Sequence, residues 1–216
     1  ECYSIATKKD QAKILWSEAK RMIKKSPVLL KRVKPLISEL YYEEEEAVFK
    51  PLSSESDSLD GLNASFVAAD EVHAMKDKNL IDVTYDSMDS RDQPLFLETS
   101  TMGTIRENVF DSEYEYASNI INGYVDSTSD FVDETLLPII YELDSKDEWL
   151  DEECWVKANP GLGTIKKIKG IRDKVARAKI KADELKNLLC KDFNIRETSV
   201  SSWLSFEDLN NEHLEG

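Results

Sequence analysis

The segment that decides the fold is Phe66-Val67-Ala68-Ala69-Asp70-Glu71, in which four mostly apolar residues precede two carboxylates. A short and nearly continuous apolar run, here 64–69, is typical of a strand buried at the centre of a parallel sheet. The sequence around it predicts further strands at 2–6, 47–49 and 94–97, and helices at 11–25, 28–40, 77–90 and 106–122. Strands that alternate with helices predict an α/β domain with a parallel sheet and crossover helices.

The character of the chain changes past Gly123, and we predict a domain boundary between residues 125 and 126. Residues 128–158 are acidic and are expected to form helices. A breaker, Asn159-Pro160-Gly161-Leu162-Gly163, separates them from a basic amphipathic stretch at 166–190, where we predict one long helix. The sequence therefore predicts an α/β domain over 1–125 and a mostly helical region over 126–216.

Composition restricts the classes of function. A net charge of −15 argues against a surface that is basic throughout, although a local basic face can still meet nucleic acid. The three cysteines form no C-x-x-C pair and only two histidines are present, so we expect reduced thiols and no zinc site. No apolar run approaches the roughly 20 residues of a membrane span. A soluble intracellular protein is the expectation.

Asp70 and Glu71 follow the carboxyl end of the predicted central strand, where ligands of parallel sheets collect. This is the Walker B arrangement of ATPases that use a catalytic glutamate. The first carboxylate supports Mg²⁺, usually through a water, and the second polarises the water that attacks the γ-phosphate. The alternative interpretation is an acidic pair that only caps the next helix.

The next predicted strand ends in Thr99-Ser100-Thr101-Met102-Gly103. In helicase-like motors, small hydroxyl residues at this place sense the γ-phosphate and couple its loss to motion. The alternative is a loop that merely turns the chain. The phosphate-binding sequence G-x-x-x-x-G-K-[ST] does not occur, and Gly161-Leu162-Gly163 is only a weak loop signal. We expect the phosphate-binding loop on a strand and helix ahead of 2–6.

Several short strings, taken together and in order, resemble the large subunit of tailed-phage terminases. They cover nearly the whole chain and are Ala6-Thr7-Lys8-Lys9-Asp10-Gln11-Ala12, Ser58-Leu59-Asp60-Gly61-Leu62-Asn63, Asp70-Glu71-Val72-His73-Ala74, Gln93-Pro94-Leu95 with Ser100-Thr101-Met102-Gly103, Tyr141-Glu142-Leu143-Asp144 and Trp155-Val156-Lys157-Ala158-Asn159-Pro160-Gly161-Leu162-Gly163.

The resemblance implies an ATP-driven DNA-packaging motor with an amino-terminal P-loop-type ATPase and a carboxyl-terminal RNase H-like nuclease. It implies ATP and Mg²⁺ as cofactors, with Asp70 supporting the metal ion and Glu71 activating water. Ser100, Thr101 and Gly103 would belong to the coupling motif, where relatives often have Thr-Thr-Ala-Gly. The implied partners are double-stranded DNA, a portal protein, the terminase small subunit and further copies in a ring. No membrane is implied, and the implied location is the cytoplasm of the bacterial host.

The sequence departs from the family pattern at both ends. We expect the Walker A segment upstream of Glu1 and the metal-binding aspartates of the nuclease downstream of about residue 216. Residues 1–125 would then be a partial ATPase domain, and 126–216 a helical linker region. We expect such a fragment to be inactive alone. The alternative function is a non-enzymatic prophage remnant that acts as a binding or interaction module. A helicase-type ATPase is a third possibility, against which the string at 155–163 argues.

Some residues keep two interpretations. His73 is either a site residue or a histidine that only packs or caps a helix, and the string at 60–63 is either structural or adjacent to the nucleotide. Asp126, Asp130 and Asp133 have the spacing of a solvated helix surface rather than of a two-metal site. The basic stretches 20–25 and 166–181 are amphipathic helices that can also meet DNA phosphates. Trp149, Trp155 and Trp203 are expected to pack rather than to stack on bases.

Overall fold

The computed structural model describes residues 1–54, 59, 61–75, 78–103, 108–125 and 133–196. The chain divides into two compact units, Glu1–Ile140 and Tyr141–Gly216. The first unit is an α/β unit and the second is helical. The domain boundary that the sequence predicts between residues 125 and 126 remains a prediction.

A six-stranded sheet organises the first unit, with the strand order β2-β3-β4-β1-β5-β6. The strands are β1 (Cys2–Ala6), β2 (Val33–Pro35), β3 (Leu40–Tyr42), β4 (Ala47–Ser53), β5 (Phe66–Asp70) and β6 (Leu95–Thr99). The helices are α1 (Lys9–Lys25), α2 (Pro27–Leu30), α3 (Asn79–Asp86) and α4 (Val109–Val125), and a 3-10 helix spans Val72–Ala74.

Four strands, β4, β1, β5 and β6, run parallel, as the sequence predicts for an α/β sheet. Side chains that alternate along β1 and β5 form a buried core on one face, where Tyr3, Ile5 and Val67 are almost inaccessible to solvent. On the opposite face the Ser4 hydroxyl donates to the Ala12 carbonyl of α1, at 2.9 Å. The parallel arrangement brings the carboxyl ends of β5 and β6 to the same edge, with Asp70 in register with Thr99.

The predicted helix at 28–40 is wrong. Only Pro27–Leu30 is helical, and the chain then forms the antiparallel hairpin of β2 and β3, which continues onto β4. Pro35 explains the difference, because proline lacks the amide hydrogen that a helix interior needs and clashes with the preceding turn. The sheet is therefore parallel at its centre and antiparallel at one edge. The other predicted helices shift to 79–86 and 109–125.

The second unit contains a 3-10 helix (Lys146–Leu150), α5 (Trp155–Ala158), α6 (Ile168–Ala178) and α7 (Ala182–Asp192). The long helix predicted at 166–190 is thus two helices. The chain leaves the helical conformation at Lys181 (φ −123°, ψ 115°), and α7 packs back on α6. This return buries Leu188 and Leu189 in one cluster with Ile171, which a single straight helix could not achieve.

The acidic stretch 128–158 is also less helical than predicted. Its described part, 133–158, is largely irregular apart from the 3-10 helix and α5. Trp155 on α5 is buried, with its ring centroid 5.9 Å from that of Phe193, and its indole nitrogen donates to the Trp149 carbonyl. Burial of these rings, rather than helix propensity, therefore shapes this segment. No helix in the described ranges is both long and apolar enough to cross a membrane.

Candidate functional site

The predicted Walker B carboxylates lie where the sequence places them, at the carboxyl end of β5. Asp70 is the last residue of the strand, and its Oδ1 atom accepts a hydrogen bond from the Thr99 hydroxyl at 2.8 Å and from the Glu71 amide at 3.0 Å. These two donors hold the carboxylate in one orientation at the strand end. Because both bonds go to the same oxygen, the second oxygen has no hydrogen-bond partner among the residues that the structure describes.

Glu71 has a left-handed backbone conformation, with φ 56° and ψ 47°. This conformation is unfavourable for a residue with a Cβ atom and is concentrated at turns and functional sites. It reverses the chain sharply between β5 and the 3-10 helix Val72–Ala74. The Glu71 side chain remains 41% exposed, with Oε2 at 3.1 Å from the His73 ring nitrogen Nδ1. A strained turn therefore presents the second carboxylate to solvent beside the first.

Ser100 joins this site from the end of β6. Its hydroxyl oxygen accepts the backbone N–H of His73 at 3.0 Å and lies 3.2 Å from His73 Nδ1. The same hydroxyl donates to the Thr101 carbonyl at 3.0 Å. The loop after β6 is thus linked directly to the turn after β5, as expected for two motifs at adjacent parallel strand ends.

Gly103 packs against the His73 ring so closely that no larger residue fits. A Cβ atom at this position would lie 2.9 Å from His73 Cβ and 3.1 Å from Cδ2. Asn108, just before α4, donates from its side-chain amide to the His73 carbonyl at 2.9 Å. The structure therefore brings Glu71, Ser100 and Gly103 together around one histidine, with Asp70 preceding Glu71 at the strand end. The contact that the structure gives for Thr101 is the hydrogen bond that its carbonyl accepts from the Ser100 hydroxyl.

The donor set suits a hard divalent cation better than a soft one. Asp70 offers a carboxylate oxygen, which is the type of ligand that Mg²⁺ prefers, usually together with waters and substrate phosphates. No group of three or more His, Cys, Asp or Glu side chains in the described ranges is arranged to hold a metal ion by itself. The residues fit a metal ion shared with a nucleotide. They do not include a loop that could cradle the phosphates.

Residues 61–63, the described part of the string at 60–63, lie away from this site. Asp60 is outside the described residues, and Gly61 has a positive φ of 76° that favours glycine. Asn63 lies before β5, at the opposite end of the strand from Asp70, where its amide donates to Glu1 and its carbonyl accepts from Arg91. These contacts favour the structural interpretation of the string.

Sequence analysis missed two residues that hold the site. Thr99 stands in the sequence as one of several hydroxyl residues at a strand end, and its register opposite Asp70 makes it a direct partner of that carboxylate. Asn108 lies just before α4, where its side-chain oxygen accepts the Asp111 amide. Its contact with the His73 carbonyl could not be predicted from the spacing of residues, because the two residues are 35 positions apart.

The second unit has its own polar network, which uses part of the predicted basic stretch. Asp192 is buried, and its carboxylate accepts hydrogen bonds of 2.8 Å from both Lys166 and Lys174. Burial raises the pKa of Asp192, but the two lysines together lower it by more, so that it lies below its ordinary value. Arg172 pairs with Glu152. These three basic side chains are engaged within the unit.

The remaining candidate residues from the sequence either make local contacts or lie outside the described residues. Asp133 accepts hydrogen bonds from the Tyr116 hydroxyl at 2.7 Å and from Thr135, which gives it a role in local structure. Asp126, Asp130 and Trp203 lie outside the described residues. In the first basic stretch, Lys20 lies over the Trp16 ring at 4.5 Å and Arg21 pairs with Glu18.

Comparison with known proteins identifies the family. The family model of the terminase large subunit ATPase domain matches residues 1–119, which is more than half of the chain. The chain belongs to the terminase large subunit family. The model of the terminase large subunit endonuclease domain matches residues 132–214. The nuclease model therefore extends into the stretch that the sequence led us to regard as a linker region preceding the nuclease.

Two individual proteins are similar to this chain. The chain is 30% identical over 166 residues to the protein YmfN of Escherichia coli strain K12, and this match covers 73% of the chain but 35% of that protein. The chain thus spans about a third of the length of this curated relative. The crystal structure of the HK97 bacteriophage large terminase has a similar fold, with a TM-score of 0.73 at 22% identity, over 89% of this chain and 39% of that one.

Proposed function

We propose that this chain is part of a DNA-packaging motor in which Glu71 activates the water that attacks the γ-phosphate of ATP. The observation that carries the proposal is the exposed carboxylate of Glu71, held beside Asp70 by a left-handed turn at the end of a central parallel strand. A carboxylate in this place can accept a proton from water as the water attacks, which is the role of a general base.

Asp70 is the residue that would hold Mg²⁺. The Thr99 hydroxyl and the Glu71 amide hold one oxygen of the Asp70 carboxylate. The orientation of the second oxygen is thereby fixed as well. When bound, the ion neutralises charge on the β- and γ-phosphates. The protein's own contribution is to hold the Asp70 carboxylate in one orientation and to place Glu71 on a separate turn, through the reversal of the backbone at Glu71.

Ser100, Thr101 and Gly103 are proposed to form the loop that senses the γ-phosphate. The Ser100 hydroxyl contacts the backbone of His73, so a movement of this loop displaces the turn that carries Glu71. Gly103 supports the coupling because its missing Cβ lets the loop lie directly against the turn. This connection supports a motor function over a loop that only reverses the chain.

A phosphate-binding segment has a suitable place beside β6. In the strand order β6 is the last strand, and no described strand pairs with its outer edge. Leu95 and Leu97 of β6 are 59% and 46% exposed, on the same face as Asp70. An open edge beside exposed leucines is unfavourable for an isolated sheet. We propose that a strand and helix carrying the Walker A sequence cover it, and that the 216-residue chain alone does not hydrolyse ATP.

The remaining assignments follow from the family and are part of the same proposal. The complete motor would use ATP and Mg²⁺, act on double-stranded DNA and assemble as a ring with the portal protein and the terminase small subunit. It would work in the cytoplasm of the bacterial host. The nuclease activity of the complete protein would lie with the region to which residues 132–214 belong.

Calorimetry with Mg-ATP tests the proposal. The comparison is between the 216-residue chain and a longer protein, meaning this chain together with an upstream segment that carries the phosphate-binding loop. We expect binding only in the longer protein, and turnover that is lost in Glu71→Gln. A well-folded longer protein that neither binds nor hydrolyses Mg-ATP would leave the non-enzymatic interaction module as the better account.

A further inference from the structure

We infer that His73 is a positioning residue that transmits the state of Ser100 to the catalytic carboxylate of Glu71. The inference rests on the proposed function and deepens it, because it names the side chain through which the two motifs communicate. The motifs are 29 positions apart in sequence, counted from Glu71 to Ser100, and His73 contacts both.

The hydrogen-bond network determines which atom of His73 carries the proton. The Ser100 hydroxyl has one hydrogen, which it donates to the Thr101 carbonyl at 3.0 Å, so it can only accept from its other neighbours. Nδ1 lies 3.1 Å from Glu71 Oε2 and 3.2 Å from Ser100 Oγ. Its N–H therefore donates to the Ser100 hydroxyl, and the same nitrogen lies within ion-pair distance of the Glu71 carboxylate, so one ring nitrogen contacts both side chains.

The surroundings hold His73 firmly enough to transmit a displacement. Its backbone N–H donates to Ser100 at 3.0 Å, and its carbonyl accepts from Asn108 at 2.9 Å. Gly103 leaves no space beside the ring, since a Cβ there would approach His73 Cβ to 2.9 Å. A histidine that only packs needs neither a ring nitrogen in contact with two motifs nor a backbone fixed at both its N–H and its carbonyl.

The functional consequence is a coupling between two states of Glu71. While Ser100 is in place, its contact fixes the His73 ring, and the Nδ1 atom lies 3.1 Å from the Glu71 carboxylate and positions it. When the loop moves, the Ser100 contact is lost and the His73 ring is free to shift, which changes the position of the Glu71 carboxylate beside it. His73 thus controls when water is activated without touching the nucleotide.

The test compares substitutions at His73 in the longer protein, assayed for DNA-stimulated ATP hydrolysis. His73→Phe keeps a ring against Gly103 but removes the donor. We expect it to lower kcat roughly 10- to 100-fold with little change in KM for ATP, because misplacement of a general base acts on the chemical step. His73→Asn keeps a donor near the position of Nδ1 and should restore most of the lost kcat.

A second variant separates the coupling from general damage to the fold. Ser100→Ala removes the other end of the contact without changing the ring, and the double variant with His73→Phe should be no slower than the slower single variant, since both break one connection. Thermal melting by circular dichroism shows whether each variant is folded. If His73→Phe does not fold, the values of kcat are compared for Ser100→Ala and His73→Asn instead.

The outcomes distinguish this inference from the proposed function. If Glu71→Gln abolishes hydrolysis while folded His73→Phe retains wild-type kcat, the role of His73 is refuted and the catalytic glutamate stands. Equal losses in the Phe and Asn variants, or a change in KM alone, would also overturn the positioning role. If Glu71→Gln has wild-type activity, the proposed function itself fails.

Discussion

The left-handed turn at Glu71 gives a prediction about stability that is independent of catalysis. The perturbation is a pair of substitutions, Glu71→Gly and Glu71→Ala. Both remove the carboxylate and its contact with His73, so these losses cancel when the two variants are compared. What differs is the backbone at φ 56°, which alanine finds strained and glycine does not.

The magnitude follows from two opposing terms. A residue with a Cβ in the left-handed region costs about 1–2 kcal/mol, which glycine avoids. Glycine in turn loses about 0.4–1 kcal/mol through the greater freedom of its unfolded chain. The net expectation is that Glu71→Gly is more stable than Glu71→Ala by roughly 1 kcal/mol, or about 3 °C in melting temperature for a protein of this size.

Urea denaturation followed by circular dichroism measures the difference directly. The two variants share every other part of the protein, so the difference in the free energy of unfolding reports on the turn. A matched control is Ser17, an exposed position within α1, where alanine should be more stable than glycine by up to about 1 kcal/mol. If alanine is also the more stable residue at position 71, the turn is not strained and its use as evidence for a functional site is refuted.

Two further predictions concern the second unit. Asp192 has a pKa below its ordinary value of 3.8 in the folded protein, so its contribution to stability is present above pH 4 and is lost as pH falls through the folded pKa. The free energy of unfolding, measured at pH 7 and at pH 3, should therefore differ less in Asp192→Asn than in the wild type. An unchanged pH dependence would contradict this assignment. Ile171 is inaccessible to solvent, and Ile171→Ala should lower the free energy of unfolding by about 3 kcal/mol, whereas Ile180→Ala, at a position that is 85% exposed, should change it by less than about 0.5 kcal/mol. Similar losses in the two alanine variants would show that Ile171 is not part of the core.

The sequence predicts the centre of the sheet because the signal there is local. The apolar run before Asp70 has to be buried on both faces, and a strand in that position has its carboxyl end at the edge where β6 also ends. The four parallel strands and the positions of Asp70, Glu71 and Ser100 follow from this pattern. The family resemblance adds the roles of these residues, and those roles remain proposals.

The parts that were predicted wrongly have separate causes. Pro35, which is visible in the sequence, excludes a helix over 28–40, and the stretch forms a hairpin because β4 offers an edge. The turn between α6 and α7 is decided by burial of Leu188 and Leu189 against Ile171, which helical spacing does not reveal. The role of His73 is hidden for the same reason, since its partners come from another strand end.

The central claim is that Glu71 activates water while other residues bind the nucleotide. The most direct test measures Mg-ATP affinity and the steady-state rate of ATP hydrolysis in the longer protein, for the wild type and for Glu71→Gln. We predict that the affinity of the variant stays within about threefold of the wild type while kcat falls by at least about 100-fold, as expected when a general base is removed. Full turnover in Glu71→Gln, or a loss of affinity that accounts for the whole loss of activity, would contradict the claim.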